Sequence, residues 1–166
     1  MNLILALTNL ARRVNEQISH LNCGGCGFFA SLVARELENI PGVEGVTIRI
    51  GSHGGDDADT LRQDFDSIRP LLRSNTVTEW NKWGIHIGHA IVQFNWEGRT
   101  YHYDSNFLLS ASEHTRTGGY PLYASGMTHK EMWEMCQSEG WNPFFDRGQV
   151  GDVSTLVYDN LGRYAQ

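Results

Sequence analysis

Cys26 stands in the phrase Gly24-Gly25-Cys26-Gly27-Phe28-Phe29-Ala30, just ahead of apolar residues at helical spacing. A thiol at the first turn of a helix lies at the positive end of the helix dipole, where unpaired N–H groups favour the thiolate. Flanking glycines let a substrate backbone approach the sulfur. Such a nucleophile needs a base that takes its proton and later returns one to a leaving group, and histidine titrates in the right range. His89 and Asp104 fall in two strand-like segments, Ile85 to Phe94 and Thr100 to Asp104, joined by Asn95-Trp96-Glu97-Gly98. A turn centred between Trp96 and Glu97 pairs Phe94 with Arg99, Ile91 with His102 and His89 with Asp104. Residues so paired have Cβ atoms about 5 Å apart, close enough for a carboxylate to orient an imidazole and stabilise its protonated form.

The elements that must hold these groups can be read from periodicity. Leu3, Leu7, Leu10, Val14, Ile18 and Leu21 recur every three or four residues, which predicts a helix over about residues 2 to 20, with Arg12, Arg13, Asn15 and Glu16 turned outward. A second helix runs from Cys26 through Phe29, Ala30, Val33 and Leu37 and stops at Pro41-Gly42. Val46, Ile48 and Ile50 alternate with polar residues as in a strand. Ser52 to Asp59 is a polar loop, and Leu61, Phe65, Ile68 and Leu72 return to helical spacing up to a break near Pro70. Further on, Tyr120 to Ala124 is strand-like. Thr128 with Glu131 forms a capping box for a helix to about Glu139 that Gly140 closes, and Ser154 to Tyr158 is a last strand. These elements make an α+β fold in one domain, residues 1–166, with helices on one side of a mostly antiparallel sheet.

Composition narrows the function. With 13 basic and 19 acidic residues the net charge is −6, a field that repels phosphate backbones, so nucleic acid is not the expected partner. No apolar run reaches the roughly 18 residues of a membrane span. Met1 to Leu7 is apolar, but no positive charge precedes it and Arg12 and Arg13 follow, so it reads as a soluble helix rather than a signal segment. Three cysteines, 23, 26 and 136, do not make a disulfide framework, which points to a reducing, cytoplasmic compartment.

Gly25-Cys26-Gly27-Phe28-Phe29-Ala30, the helix running to Pro41, the strand at Val46 to Ile50, His89-Ala90-Ile91-Val92 and Asp104-Ser105-Asn106 resemble the core of the transglutaminase-like, papain-like cysteine peptidase superfamily. The resemblance covers about residues 20 to 106, with Cys, His and Asp in the family's order and spacings of 63 and 15 residues. It implies a papain-like fold and acyl transfer on a protein, peptide or amide substrate, as in peptidases, amidases and transamidating enzymes, without a cofactor. It also implies an oxyanion donor upstream of the cysteine, where His20 and Asn22 stand in place of the Gln of the papain pattern, with the Cys26 N–H as a further donor. The phrase from Asn22 to Gly27 is similar, too, to one in short proteins of tailed bacteriophages.

Blander readings stand beside this one. Cys136, between Met135 and Gln137, fits a small core residue. His86 and His102 are rival bases, and Trp80 and Trp83 fit packing better than a cleft wall. Cys23-x-x-Cys26 with His86-x-x-His89 is the ligand set of a tetrahedral zinc, although a two-residue gap between histidines is shorter than the common finger spacing. The fold without catalysis would be a binding module or inhibitor that captures a partner in its cleft.

Overall fold

The computed structural model describes residues 2–18, 21, 25–51, 89–105, 108–110, 126–139 and 145–164. Helix α1 (Leu3–Gln17) is opened by the Asn2 side chain, which accepts from the Leu5 N–H at 3.1 Å. Its apolar stripe of Leu3, Leu7, Leu10 and Val14 is fully buried. Helix α2 (Cys26–Leu37) begins at the expected residue and is buried almost all round, with only Arg35 exposed.

At Pro41-Gly42 the chain turns, Gly42 taking φ +86° against the ring of Trp96. It then enters strand β1 (Val43–Gly51), which pairs antiparallel with β2 (His89–Trp96). Strands β3 (Arg99–Tyr103) and β4 (Leu108–Ser110) complete an antiparallel sheet in the order β1-β2-β3-β4. The three-residue β4 has no clear sequence signal. The free side of β1 carries one isolated bridge, two backbone hydrogen bonds of 2.9 Å between Ile48 and Met127.

Helix α3 (His129–Glu139) opens on the expected capping box, Thr128 and Glu131 bonding reciprocally at 3.1 Å. Helix α4 (Arg147–Leu161), with a short 3-10 helix at Gly162–Tyr164, replaces the strand expected at Ser154 to Tyr158. Strand propensity there is overridden by the 3.6-residue period of Val150, Val153, Leu156, Val157 and Leu161, all buried, and by an Asp146–Gln149 capping box. The helices share one apolar core with Ile48, Ala90, Val92, Phe94 and Tyr103 of the sheet, so they cover one sheet face and the class is α+β.

The hairpin register differs from the expected one. The observed pairs are Trp96 with Arg99, Asn95 with Thr100, Phe94 with Tyr101, Gln93 with His102 and Val92 with Tyr103. Only Glu97 and Gly98 form the turn, at φ 48° and 75°, the left-handed pair that matches the twist of adjoining strands. Tightening the loop moves every partner by two residues. Asp104 therefore follows the last pair on the side of Ile91, and the expected His89–Asp104 pairing does not form in this ladder. The expected segments at 52–59, 61–72 and 120–124, Gly140, Trp80 and Trp83 lie outside the described residues. No helix among the described residues is long and apolar enough to cross a membrane.

Candidate functional site

Cys26 is the first residue of α2, as its sequence context requires, and Gly25 holds the N-cap position without a capping side chain. No acidic residue occupies the first turn, so the positive end of the helix is not offset locally. The Gly25 N–H donates to the Leu21 carbonyl at 2.6 Å, and the Phe29 N–H donates to the Gly25 carbonyl at 2.9 Å. Cys26 keeps 9% of its surface and belongs to the apolar core.

Gly25 and Gly27 are each required by close packing. A Cβ on Gly25 would meet the Leu21 carbonyl at 2.6 Å and the Phe145 ring at 2.7 Å. One on Gly27 would collide with Cys136 Sγ and stand 3.0 Å from Met132 Sδ. Cys136, 4% exposed, is the core residue its context implied, its Sγ 3.7 Å from Met132 Sδ. Phe28 completes this contact, its ring edge-on to Trp133 at 5.3 Å and stacked on Phe145 at 6.1 Å.

One turn into α2, Phe29 lies 5.8 Å from Tyr103, the last residue of β3. The start of α2 thus sits at the end of the sheet where β3 finishes, beside the residue that precedes Asp104. Tyr103 pairs with Val92, three residues into β2, so His89 opens its strand at this same end, opposite Gly51. Cys26, His89 and Asp104 therefore belong to one end of the helix–sheet layer.

The alternation of β2 gives the helix-packed face to Ala90, Val92 and Phe94. His89 is described through its backbone, and the expected bonds of its ring to Asp104 and Cys26 lie outside the described residues. His102, the rival base, is 7% exposed and holds Gln93 Oε1 at 3.0 Å from its Nε2. Arg49 donates to the same oxygen at 3.5 Å.

Asp104 is 6% exposed, and its flanking residues are held by α1. The Tyr103 hydroxyl donates to the Leu7 carbonyl at 2.8 Å, and Asn15 Nδ2 donates to the Ser105 carbonyl at 2.6 Å and to the Ala11 carbonyl at 2.9 Å. Burial pushes the Tyr103 hydroxyl well above its ordinary pKa, the Asp104 charge adds to the shift, and the Ala11 N–H opposes it. Sequence reasoning missed these clamps because Asn15 projects from the polar face of α1 and its partner is a distant backbone carbonyl. Asn15 as an exposed polar residue and Tyr103 as a strand aromatic each gave no further signal.

His20, Asn22, Cys23 and His86 lie outside the described residues, and with them both the expected oxyanion side chains and half of the zinc set. Among the described residues no three His, Cys, Asp or Glu side chains converge as a metal site. No protein-family model matches this chain, and no curated protein or solved structure matches it.

Proposed function

We propose that this chain is a thiol enzyme of papain-like, transglutaminase-like type, acting by acyl transfer on an amide or thioester of a protein, peptide or small amide. Cys26 attacks the carbonyl, His89 accepts the thiol proton and delivers it to the leaving group, and Asp104 orients the imidazole. The acyl group rests on sulfur as a thioester until water or an amine removes it. The Cys26 N–H at the start of α2 is one donor to the developing oxyanion, and Asn22 and His20 are the side-chain choices for the second. The observation that carries this reading is the Phe29–Tyr103 contact, which brings the start of the Cys26 helix to the end of the sheet where His89 and Asp104 also belong.

The test is intact-mass and peptide-level labelling with iodoacetamide and with a peptide thioester. Cys26 labels faster than Cys23 and Cys136, and its rate drops when His89 is replaced by Ala and not when His102 is. Equal labelling of the three thiols, unaffected by His89→Ala, removes the nucleophile assignment.

One observation favours a second reading, a non-catalytic binding module on the same frame. Cys26, 9% exposed, is packed into the apolar core. On that reading the thioester probe acylates none of the three cysteines, while the folded chain still captures a partner.

A further inference from the structure

A groove of about 380 Å³ runs between α1 and the end of α4, and none of the proposed catalytic residues lines it. Arg12 and Arg13 line one wall and Arg163 the other, joined by the amides of Asn9 and Asn160 and by Tyr164. Three guanidinium groups around one depression reverse the local sign of a chain whose net charge is −6.

Two carboxylates offset them in part. Glu16 bonds Arg12 through both oxygens at 2.9 and 3.1 Å, and Asp159 lies on the far wall. The Arg12–Glu16 pair is more than half exposed on both sides, the kind of helix-surface pair that is weak and exchanges readily for a better acceptor. Arg163 follows the C-terminus of α4 and complements that helix dipole, but Arg12 and Arg13, in the body of α1, have no such role.

A guanidinium presents paired donors in a plane that match two oxygens of one phosphate, and it is less costly to strip of water than an ammonium. The groove is at the small end of ligand-sized cavities. Leu5, 55% exposed, and the half-buried Tyr164 add an apolar rim on which a ring can rest. We infer that this groove binds a small molecule carrying a polyphosphate chain, with Arg12, Arg13 and Arg163 on the phosphate oxygens. It rests on residues other than the proposed catalytic ones and stands independently of the thiol chemistry.

The full chain is titrated calorimetrically at low salt with ATP, with sodium tripolyphosphate and with short oligothymidylates of increasing length. ATP or tripolyphosphate binds saturably at one site, and Arg13→Gln and Arg163→Gln each weaken binding about tenfold with the ligand-free melting midpoint unchanged. Arg13→Lys, which keeps the charge but loses the fork, falls between. Arg147→Gln, at the far end of α4, binds as the parent does. Equal affinity for both ligands identifies a phosphate chain as the recognised element. Tighter ATP binding that Tyr164→Leu abolishes identifies a nucleotide. The proposal is overturned by no saturable binding of either ligand, by binding that Arg147→Gln weakens as much as Arg13→Gln, or by oligothymidylate binding that outgrows ATP binding with length.

Discussion

The side-chain amide of Asn15 donates to the Ser105 carbonyl at 2.6 Å, fastening the last turn of α1 to the residue after Asp104. Together with the Tyr103–Leu7 bond it fixes the end of β3 on both sides of the buried carboxyl group. Asn15→Ala removes a donor from one carbonyl and is expected to cost about 1 kcal/mol in urea unfolding. Asn15→Asp places a carboxylate against that carbonyl and costs more. If Asp104 orients the base, both variants also slow Cys26 labelling in the folded state.

Burial of Tyr103 makes part of the fold's stability pH-dependent on the alkaline side. Its hydroxyl ionises near pH 10.0 in the unfolded chain and well above that when folded. The unfolded state therefore loses its proton first, and the stability this group contributes is complete below pH 10 and declines as pH rises beyond it. Absorbance titration of the six tyrosines should show one that ionises only as the chain unfolds, and Tyr103→Phe should remove that phase.

Asp104→Asn takes away one of the two causes that raise Tyr103. The late Tyr103 phase should move to lower pH in this variant, while burial keeps it above the ordinary value. The same variant is expected to retain the fold and lower Cys26 reactivity, because an amide holds an imidazole but stabilises its protonated form less well. Reactivity equal to the parent's would leave Asp104 a structural carboxylate.

Gly27→Ala drives a methyl group into Cys136 and Met132. Overpacking of this kind costs about 1–3 kcal/mol. Cys136→Ala empties the space that the new methyl needs, so the double variant should recover much of the loss, a coupling that a double-mutant cycle in urea reads directly. Additive losses would mean that α2 and α3 separate rather than clash.

Glu97 is the described non-glycine residue with positive φ, at 48° in the hairpin turn. Glu97→Asn creates Asn-Gly, the pair best suited to this turn, and should stabilise the chain by a few tenths of a kcal/mol up to about 1 kcal/mol. A thermal midpoint below the parent's would show that the Glu97 side chain contributes a contact outside the turn.

The helices α1, α2 and α3, the strand at Val46 to Ile50 and the position of Cys26 were legible because each rests on a local pattern: a repeat of apolar residues, a cap or a glycine break. The register of the hairpin was not, since Asn95 to Gly98 accommodates either a four-residue or a two-residue turn and only the positive φ of Glu97 and Gly98 decides between them. Ser154 to Tyr158 misled for a different reason. Its β-branched and aromatic composition suits a strand, whereas Val150, Val153, Val157 and Leu161, on a wider window, carry a helix against α1 and α2. The clamps by Asn15 and Tyr103 join residues about ninety positions apart through backbone carbonyls, which carry no side-chain signature.

Gly51 and His89 face each other as the last residue of β1 and the first of β2, so the chain leaves the sheet and returns to it at neighbouring points about 5 Å apart. The 37 residues from 52 to 88 connect these two positions. Lengthening or shortening a segment held in this way changes closure entropy slowly, by roughly 0.6 kcal/mol for each doubling. By that measure a change in the length of this connection costs the β1–β2 ladder little.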